Sequence, residues 1–373
     1  MNHLTAGQAY RFMFVYLYSE PVAFLLQRLF KMSGYQGWLS IIGGFLISLI
    51  FLFFTYRLGS LYPEKPWISY GEEIVGKMVH RFYIGLIVLL CLYLLSIDVE
   101  NFIIFLQSMY LPQTPIWLTA SLTLLSICLT ARSGLVTIVF MSEGIFLVQL
   151  FTSTLLMPAV GGGGNPGILI AMTTHHDWGE MVIGSLSTMP WFSEWMMFLF
   201  LAPVVAFKRP MLKSMLLAGT TVVIFIVVFW MFTLMNFGPY VAAGLRYPLL
   251  EMVRFARYGD FLDNLDPVLI AIWSTTMFTR SSFLLYVASV CLSKLSGVKQ
   301  QKSVVYLIGG TATAIVLQYA RDPASYELAI RSFAVPVYTV LIESMPILYV
   351  LVYWLRSGKN KKATKASGAP SPS

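Results

Sequence analysis

Five ionisable side chains sit inside long apolar runs of this 373-residue chain: Glu20, Glu143, Glu194, Arg280 and Glu343. A carboxylate or guanidinium at membrane depth costs about 2.5–3.5 kcal/mol or more unless it is paired, so such groups mark ligand sites, proton relays or ion pairs. Four acids face one base, and a low-dielectric interior cannot hold all of them ionised without a cation, protons or water. Two of the acids share a short interruption with a proline, in Tyr18-Ser19-Glu20-Pro21 and in Pro190-Trp191-Phe192-Ser193-Glu194. Proline removes a backbone donor and frees a carbonyl. When such interruptions fall at matching places in two halves of a membrane chain, they predict a mid-membrane ligand site built by broken helices. Glu194 is therefore expected to act on a ligand or proton. Arg280 has two readings. Either it neutralises Glu194 or Glu20, or it meets a ligand carboxylate, with Thr276 and Thr279 on the same helical face offering hydroxyls; a purely structural ion pair is the alternative.

The elements that position these groups follow from composition. The chain is 57% hydrophobic and 11% charged, against roughly a quarter charged in soluble domains. An integral membrane protein is predicted, and no segment between apolar runs is long enough for a soluble catalytic core. With about 20 apolar residues needed per crossing, ten spans are expected, at approximately 8–31, 38–58, 79–98, 114–131, 134–157, 182–207, 211–235, 266–293, 303–320 and 331–355. The third has room to continue to Leu111, so Asp98 and Glu100 are read either as outer-loop acids or as deeper groups. The first span is expected to serve as the targeting signal, with no cleaved leader before it.

Seventeen of the 25 Lys and Arg fall on one side of these spans, seven on the other, and Arg280 lies within. Both termini are therefore expected in the cytoplasm. Spans one and six, and two and seven, are separated by about 174 residues; five helices per half is an odd number, so the halves insert as inverted repeats, about 8–157 and 182–355. Residues 1–356 form one membrane domain, and 357–373 a basic, disordered cytoplasmic tail attracted to the lipid surface. Segment 245–265 places Leu249, Leu250, Val253 and Ala256 on one helical side, away from Glu251, Arg254 and Arg257, as expected of a helix lying in the membrane interface; a lid or docking role would suit it.

Other signals carry little. Cys91, Cys128 and Cys291 have no paired spacing and read as core side chains. His175-His176-Asp177 is poorly disposed to share one ion, and Gly161 to Gly167 lacks the Gly-Lys-Ser/Thr ending of a phosphate loop. No metal, cofactor or nucleic acid is expected. The histidines His3, His80, His175 and His176 avoid span centres, and there is neither a His-Glu-x-x-His pattern nor a nucleophile elbow, so the chain is not expected to be an enzyme.

Tyr62-Pro63-Glu64-Lys65-Pro66 after span two, Leu111-Pro112-Gln113-Thr114-Pro115 entering span four, Ser193-Glu194 in span six, and Leu265-Asp266 with Ile272-Trp273 in span eight together carry a family resemblance. Over about 5–356 the chain resembles the B subunits of spore nutrient germinant receptors, the germination permeases of the amino acid, polyamine and organocation (APC) transporter superfamily. That resemblance implies an all-α, LeuT-like membrane fold of ten transmembrane helices in two inverted five-helix repeats, with helices 1 and 6 broken. It implies a pocket among spans one, three, six and eight, for which Glu20, Tyr93, Ile97, Trp191, Glu194, Thr275, Thr276 and Phe278 are the positions here. Glu143, Arg280 and Glu343 are the expected ion-pair or proton-coupling groups. It further implies a nutrient ligand such as an amino acid, partnership with an A subunit and a lipoprotein C subunit, and residence in the spore inner membrane. A proton- or cation-coupled amino acid transporter is the second reading. One departure stands out. Relatives commonly unwind span one at glycines, whereas Tyr18-Ser19-Glu20-Pro21 would repel a ligand carboxylate and attract an ammonium.

Overall fold

The computed structural model describes residues 4–366 apart from 162, 175–176, 256–265, 323, 325, 327 and 329–333. The His175-His176 pair, Gly162, residues 256–265 with Arg257 and Leu265, Arg331 at the start of the tenth expected span, and the last seven residues of the tail lie outside that set. Among the described residues the chain is all-helical, and eight helical runs are long and apolar enough to cross a membrane.

Helix α1 (Ala6–Glu20) starts from a capping box, in which the Thr5 hydroxyl accepts the Gln8 N–H and the Gln8 side chain accepts the Thr5 N–H. At Pro21 the missing N–H leaves the Leu17 carbonyl without its helical donor, and the chain widens into a π-helical stretch, Pro21–Leu25, before α2 (Leu26–Ser33). The α-helix of span one is thus interrupted where the sequence places the break, but by a widened turn rather than by an unwound segment. Glu20, Pro21, Leu25 and Leu26 all keep right-handed helical dihedrals, because no glycine is present there to let the backbone unwind.

Gly34, with φ of 45°, begins the turn into α3 (Gly37–Leu61). The run from Ala6 to Leu61 then folds back on itself. Both of its ends meet one short segment: the Leu4 N–H donates to Val204 O at 2.9 Å, and the Ser60 hydroxyl reaches Phe207 O at 3.3 Å. A surface helix, α4 (Trp67–Val75), leads into α5 (Lys77–Met109), whose 33 residues are far more than a crossing needs. Helices α6 (Ile116–Ser133) and α7 (Leu135–Gly161) are joined through Gly134 alone, whose φ of 100° suits glycine.

After a single-turn α8 (Ala171–Thr174), the sixth expected span is in pieces. It consists of α9 (Trp178–Thr188), a 3₁₀ turn over Met189–Phe192, a break at Ser193, and a second 3₁₀ stretch over Glu194–Leu201. Helix α10 (Arg209–Gly244) kinks at Gly238, where φ is 66° ahead of Pro239. Then follow α11 (Pro248–Phe255), α12 (Asp266–Ser296), α13 (Gln301–Arg321), α14 (Ala334–Glu343) and α15 (Met345–Ala366).

Helix α11 differs from its sequence expectation. Leu249, Leu250, Met252 and Val253 are buried against α2, α7, α10 and α12 rather than presented to lipid. The helix is fastened to the ends of α5 and α12: the Tyr110 hydroxyl donates to Asp266 Oδ2 at 2.6 Å, and Arg254 reaches the Tyr110 oxygen at 3.3 Å and Asp266 at 3.6 Å. Burial, together with the hydrogen bond given to Asp266, raises the Tyr110 phenol above its ordinary range.

Helices α3 and α9 approach each other backbone to backbone. A methyl added at Gly43 would collide with Ser185 Oγ, and one at Gly184 with the hydroxyls of Ser33 and Ser40. Small residues at such contacts are what let membrane helices pack this closely.

Candidate functional site

Arg280, on α12 and only 4% exposed, is the centre of the site. Its Nη1 and Nη2 donate to the two oxygens of Glu194 at 2.9 and 2.8 Å, a bidentate fork, and its Nε donates to Asp98 Oδ2 at 2.9 Å. The Tyr16 hydroxyl donates to Glu194 Oε2 at 2.5 Å while the Tyr16 ring lies 4.9 Å beneath the guanidinium carbon. Four elements converge here: α1, α5, the second 3₁₀ stretch and α12. The break at Ser193 is what brings Glu194 to Arg280, since it opens a new helical start at the depth of the cluster. Negative charge is favoured at such a start.

Glu20, at the end of α1, lies close enough to Asp98, Arg280 and Glu194 to interact electrostatically with all three. Its Oε1 is buried and has no hydrogen-bond partner among the described residues. Glu343 ends α14 at a break the sequence reading missed, at Ser344 ahead of Pro346, so this carboxylate too sits where a helix is interrupted. It is fully buried, and its Oε2 accepts the backbone N–H of Met196 at 3.1 Å. That N–H belongs to the first turn of the 3₁₀ stretch and has no donor role inside it. Glu343 thus caps the C-terminal half of span six.

Aromatic rings close the cluster on both sides. Towards the end of the molecule that carries Leu4, Phe12 packs on Phe283 at 4.9 Å, and Tyr16 packs on Phe198 at 5.4 Å. Towards the other end, Trp273 meets Phe105 at 4.9 Å and Phe24 at 5.6 Å, and Phe105 meets Tyr247 at 5.2 Å. Of these rings, Phe105, Tyr247 and Trp273 help line a largely apolar cavity of about 40 Å³, with Leu249 and Leu250 of α11 also in its wall.

The other residues singled out from the sequence are dispersed around this centre. Tyr93 and Ile97 are half-buried on α5 within about a turn of Asp98, and Trp191 is half-buried in the first 3₁₀ turn. Thr275 is exposed, and Phe278 is half-buried. The hydroxyls of Thr275 and Thr276 donate to carbonyls of their own helix, Ala271 and Trp273, as does Thr279 to Thr275. Glu143 stands apart from the cluster, paired with Arg11 at 3.1 Å in a half-exposed ion pair. None of the eight expected pocket residues lines the apolar cavity.

Asp98 is the main residue that the sequence left undecided. It is 1% exposed, deep in a helix that continues eleven residues beyond it, so it belongs to the cluster rather than to an outer loop. The apolar residues Val99, Phe102, Ile103, Ile104 and Phe105 were the signal for that continuation. Glu100, buried at 2%, lies on the same helix, and its Oε2 has no partner among the described residues.

Comparison with known proteins settles the family. A family model described as spore germination protein matches residues 3–324. The chain belongs to the spore germination protein family. It is similar to the spore germination protein XB of Bacillus anthracis, with 22% identity over 342 residues that cover 91% of this chain and 93% of that one. Among solved structures it is similar to a Na⁺-coupled sialic acid symporter in a substrate-bound, outward-open state, with a TM-score of 0.65, 12% identity, and coverage of 93% of this chain and 79% of that one. At that identity the likeness concerns the fold, which is that of a multi-pass membrane transporter. Family and fold together point to a permease-like germination protein of the membrane rather than to an enzyme.

Proposed function

We propose that this chain is the integral-membrane subunit of a spore nutrient germinant receptor, which binds a small nutrient, an amino acid by family analogy, in a mid-membrane pocket beside Arg280. The observation that carries the reading is the convergence of Glu20, Asp98, Glu194 and Arg280 at the interruptions of two spans, in a chain of the spore germination family. Binding there would shift an equilibrium between two arrangements of the interrupted spans, which the A subunit and the lipoprotein C subunit would read in the spore inner membrane.

Ten crossings in two inverted five-helix repeats fit this role. The folded-back run Ala6–Leu61 accounts for two crossings, and the interrupted segment 178–205 for one that no single helix supplies. Leu4, Pro63, Phe207 and Lys208 gather at one end, and Arg356 reaches the Glu73 carbonyl of the neighbouring surface helix. The excess of basic residues at that end supports cytoplasmic termini, with the basic tail from 357 against the lipid.

Spores that lack this chain test the reading. Dipicolinate release should be lost for one or a few single nutrients and kept for the others; unaltered germination with every nutrient would overturn it. A second reading, a proton- or cation-coupled amino acid transporter, draws on the likeness to the Na⁺-coupled symporter. Uptake of labelled amino acid into vesicles that contain only this chain would favour it.

A further inference from the structure

The end of the molecule that carries Leu4 holds a buried histidine that plays no part in the cluster around Arg280. His80, in the first turn of α5, is fully buried, as is Tyr349 of α15, and Trp67 of α4 is 1% exposed. The imidazole joins two elements: Nε2 lies 3.1 Å from the Ile68 carbonyl of α4, and Nδ1 lies 2.9 Å from the Tyr349 hydroxyl. A carbonyl only accepts, so Nε2 carries the proton and Nδ1 accepts from Tyr349. Both nitrogens are satisfied by the neutral ring.

A second proton would have to enter at Nδ1, against the oxygen of Tyr349. The phenol would then have to turn its hydrogen away, and it has no other hydrogen-bond partner among the described residues. Nor can the ring swing towards α4, because Gly71 leaves no space beside its Cε1 for even a methyl group, and Trp67 packs on it at 4.8 Å. Of the charged groups around it, Glu72 of α4 favours an imidazolium and Lys294 of α12 opposes one. Lys77 and Arg81 lie on α5 itself, α15 brings Tyr349, and the second 3₁₀ stretch brings only the Phe200 ring, by way of Trp67.

What depends on this ring is the attachment of α4. Among the described residues the helix has two other long-range side-chain hydrogen bonds, from the Tyr70 hydroxyl to Leu58 O at 3.0 Å and from Arg356 to Glu73 O at 3.4 Å. Trp67 in turn meets Phe200 at 6.1 Å, in the half of span six that carries Glu194. We propose that His80 is a pH-sensitive latch: the neutral imidazole fastens α4 to α5 and α15, and its protonation releases α4 and with it one support of the C-terminal half of span six. The latch goes beyond the nutrient reading and does not depend on which ligand the site takes. Its sign follows from the two states. The latch accepts only the neutral ring, whereas the released ring takes a proton near its ordinary pKa of about 6.5, so the fastening is complete above that pH and weakens as pH falls below it. One imidazole can supply at most about a tenfold change between pH ~7.5 and pH ~5.5.

The test is hydrogen exchange of the full chain in lipid nanodiscs, read by mass spectrometry over residues 67–75, with exposure times scaled for the intrinsic effect of pH on exchange. Protection of α4 is expected to fall about five- to tenfold between those two pH values while that of α6 stays unchanged. His80→Gln should abolish the pH dependence. Two charge-removing variants that leave the imidazole in place keep the test independent of any folding defect in His80→Gln: Glu72→Gln should move the loss to lower pH, and Lys294→Gln to higher pH. Equal protection of α4 at both pH values in the parent would overturn the inference, as would a loss that persists in His80→Gln. A gain in protection at acid pH would also overturn it, because the Trp67 ring would then be holding the imidazolium. So would a loss at one and the same pH in the parent, Glu72→Gln and Lys294→Gln, which would assign the titration to another group.

Discussion

The interruptions of spans one and six look alike in sequence, each a proline near a glutamate, yet the structure treats them in opposite ways. In span six the backbone leaves the α-helical form, and the groups at the break are bonded: Glu194 takes the Arg280 fork and the Tyr16 hydroxyl, and the Met196 N–H is capped by Oε2 of Glu343. In span one the helix only widens, and Glu20 keeps a buried oxygen without a partner among the described residues. A fully satisfied polar network holds a site in shape, whereas a buried acceptor without a partner is costly and persists where something else will complete it. The two interruptions thus divide the labour, one fixing the frame and the other left open.

Substitutions can break this contrast, beginning with the largest effect. Arg280→Met leaves Asp98 and Glu194 buried without their cation, and loss of one partner from a buried pair costs about 3–5 kcal/mol. The variant should give little monodisperse protein on size-exclusion chromatography, and a normal yield would show that the cluster is not part of the frame. Glu194→Gln keeps the shape but loses the charged fork, so its unfolding in a denaturant titration should be easier by about 1.5–3 kcal/mol. Glu343→Ala uncovers the Met196 N–H at a predicted cost of about 1–3 kcal/mol, whereas Glu343→Gln, which can still accept, should restore most of it in the same titration. Glu20→Gln should have the smallest effect on stability, within about 0.5 kcal/mol of the parent or slightly stabilising, because it removes a surplus acid from among like charges. A loss as large as that of Glu194→Gln would erase the distinction between the two spans.

Much of this arrangement was legible in the sequence, and the rest was hidden for identifiable reasons. Glu194, Arg280 and Glu343 declare themselves because charge inside an apolar run is expensive wherever the run ends up. Asp98 does not, because a crossing of about 20 residues that starts near Val79 stops at its position, and only tertiary packing tells how far α5 continues. The break beside Glu343 was invisible for a related reason: Pro346 follows a run apolar enough to read as one helix. The apolar side of α11 was plain from Leu249, Leu250 and Val253, but amphipathicity says that a face is covered without saying by what, and protein rather than lipid covers it here. The threonines of α12 were read as ligand groups from their type; whether a threonine hydroxyl turns back to its own helix is a rotamer choice that the sequence does not record.

The seam between α3 and α9 has a mechanical consequence. A methyl at Gly44 would meet backbone atoms, the Met189 nitrogen at 2.9 Å and the Ser185 oxygen at 3.0 Å, so at that point the two backbones cannot slide past each other by side-chain adjustment alone. Helix α9, the N-terminal half of span six, is therefore fastened to α3, while the half beyond the break is held separately by Glu343 through the Met196 N–H. A rotation between the two halves would be taken up across Met189 to Ser193, the stretch that would carry Glu194 towards or away from Arg280.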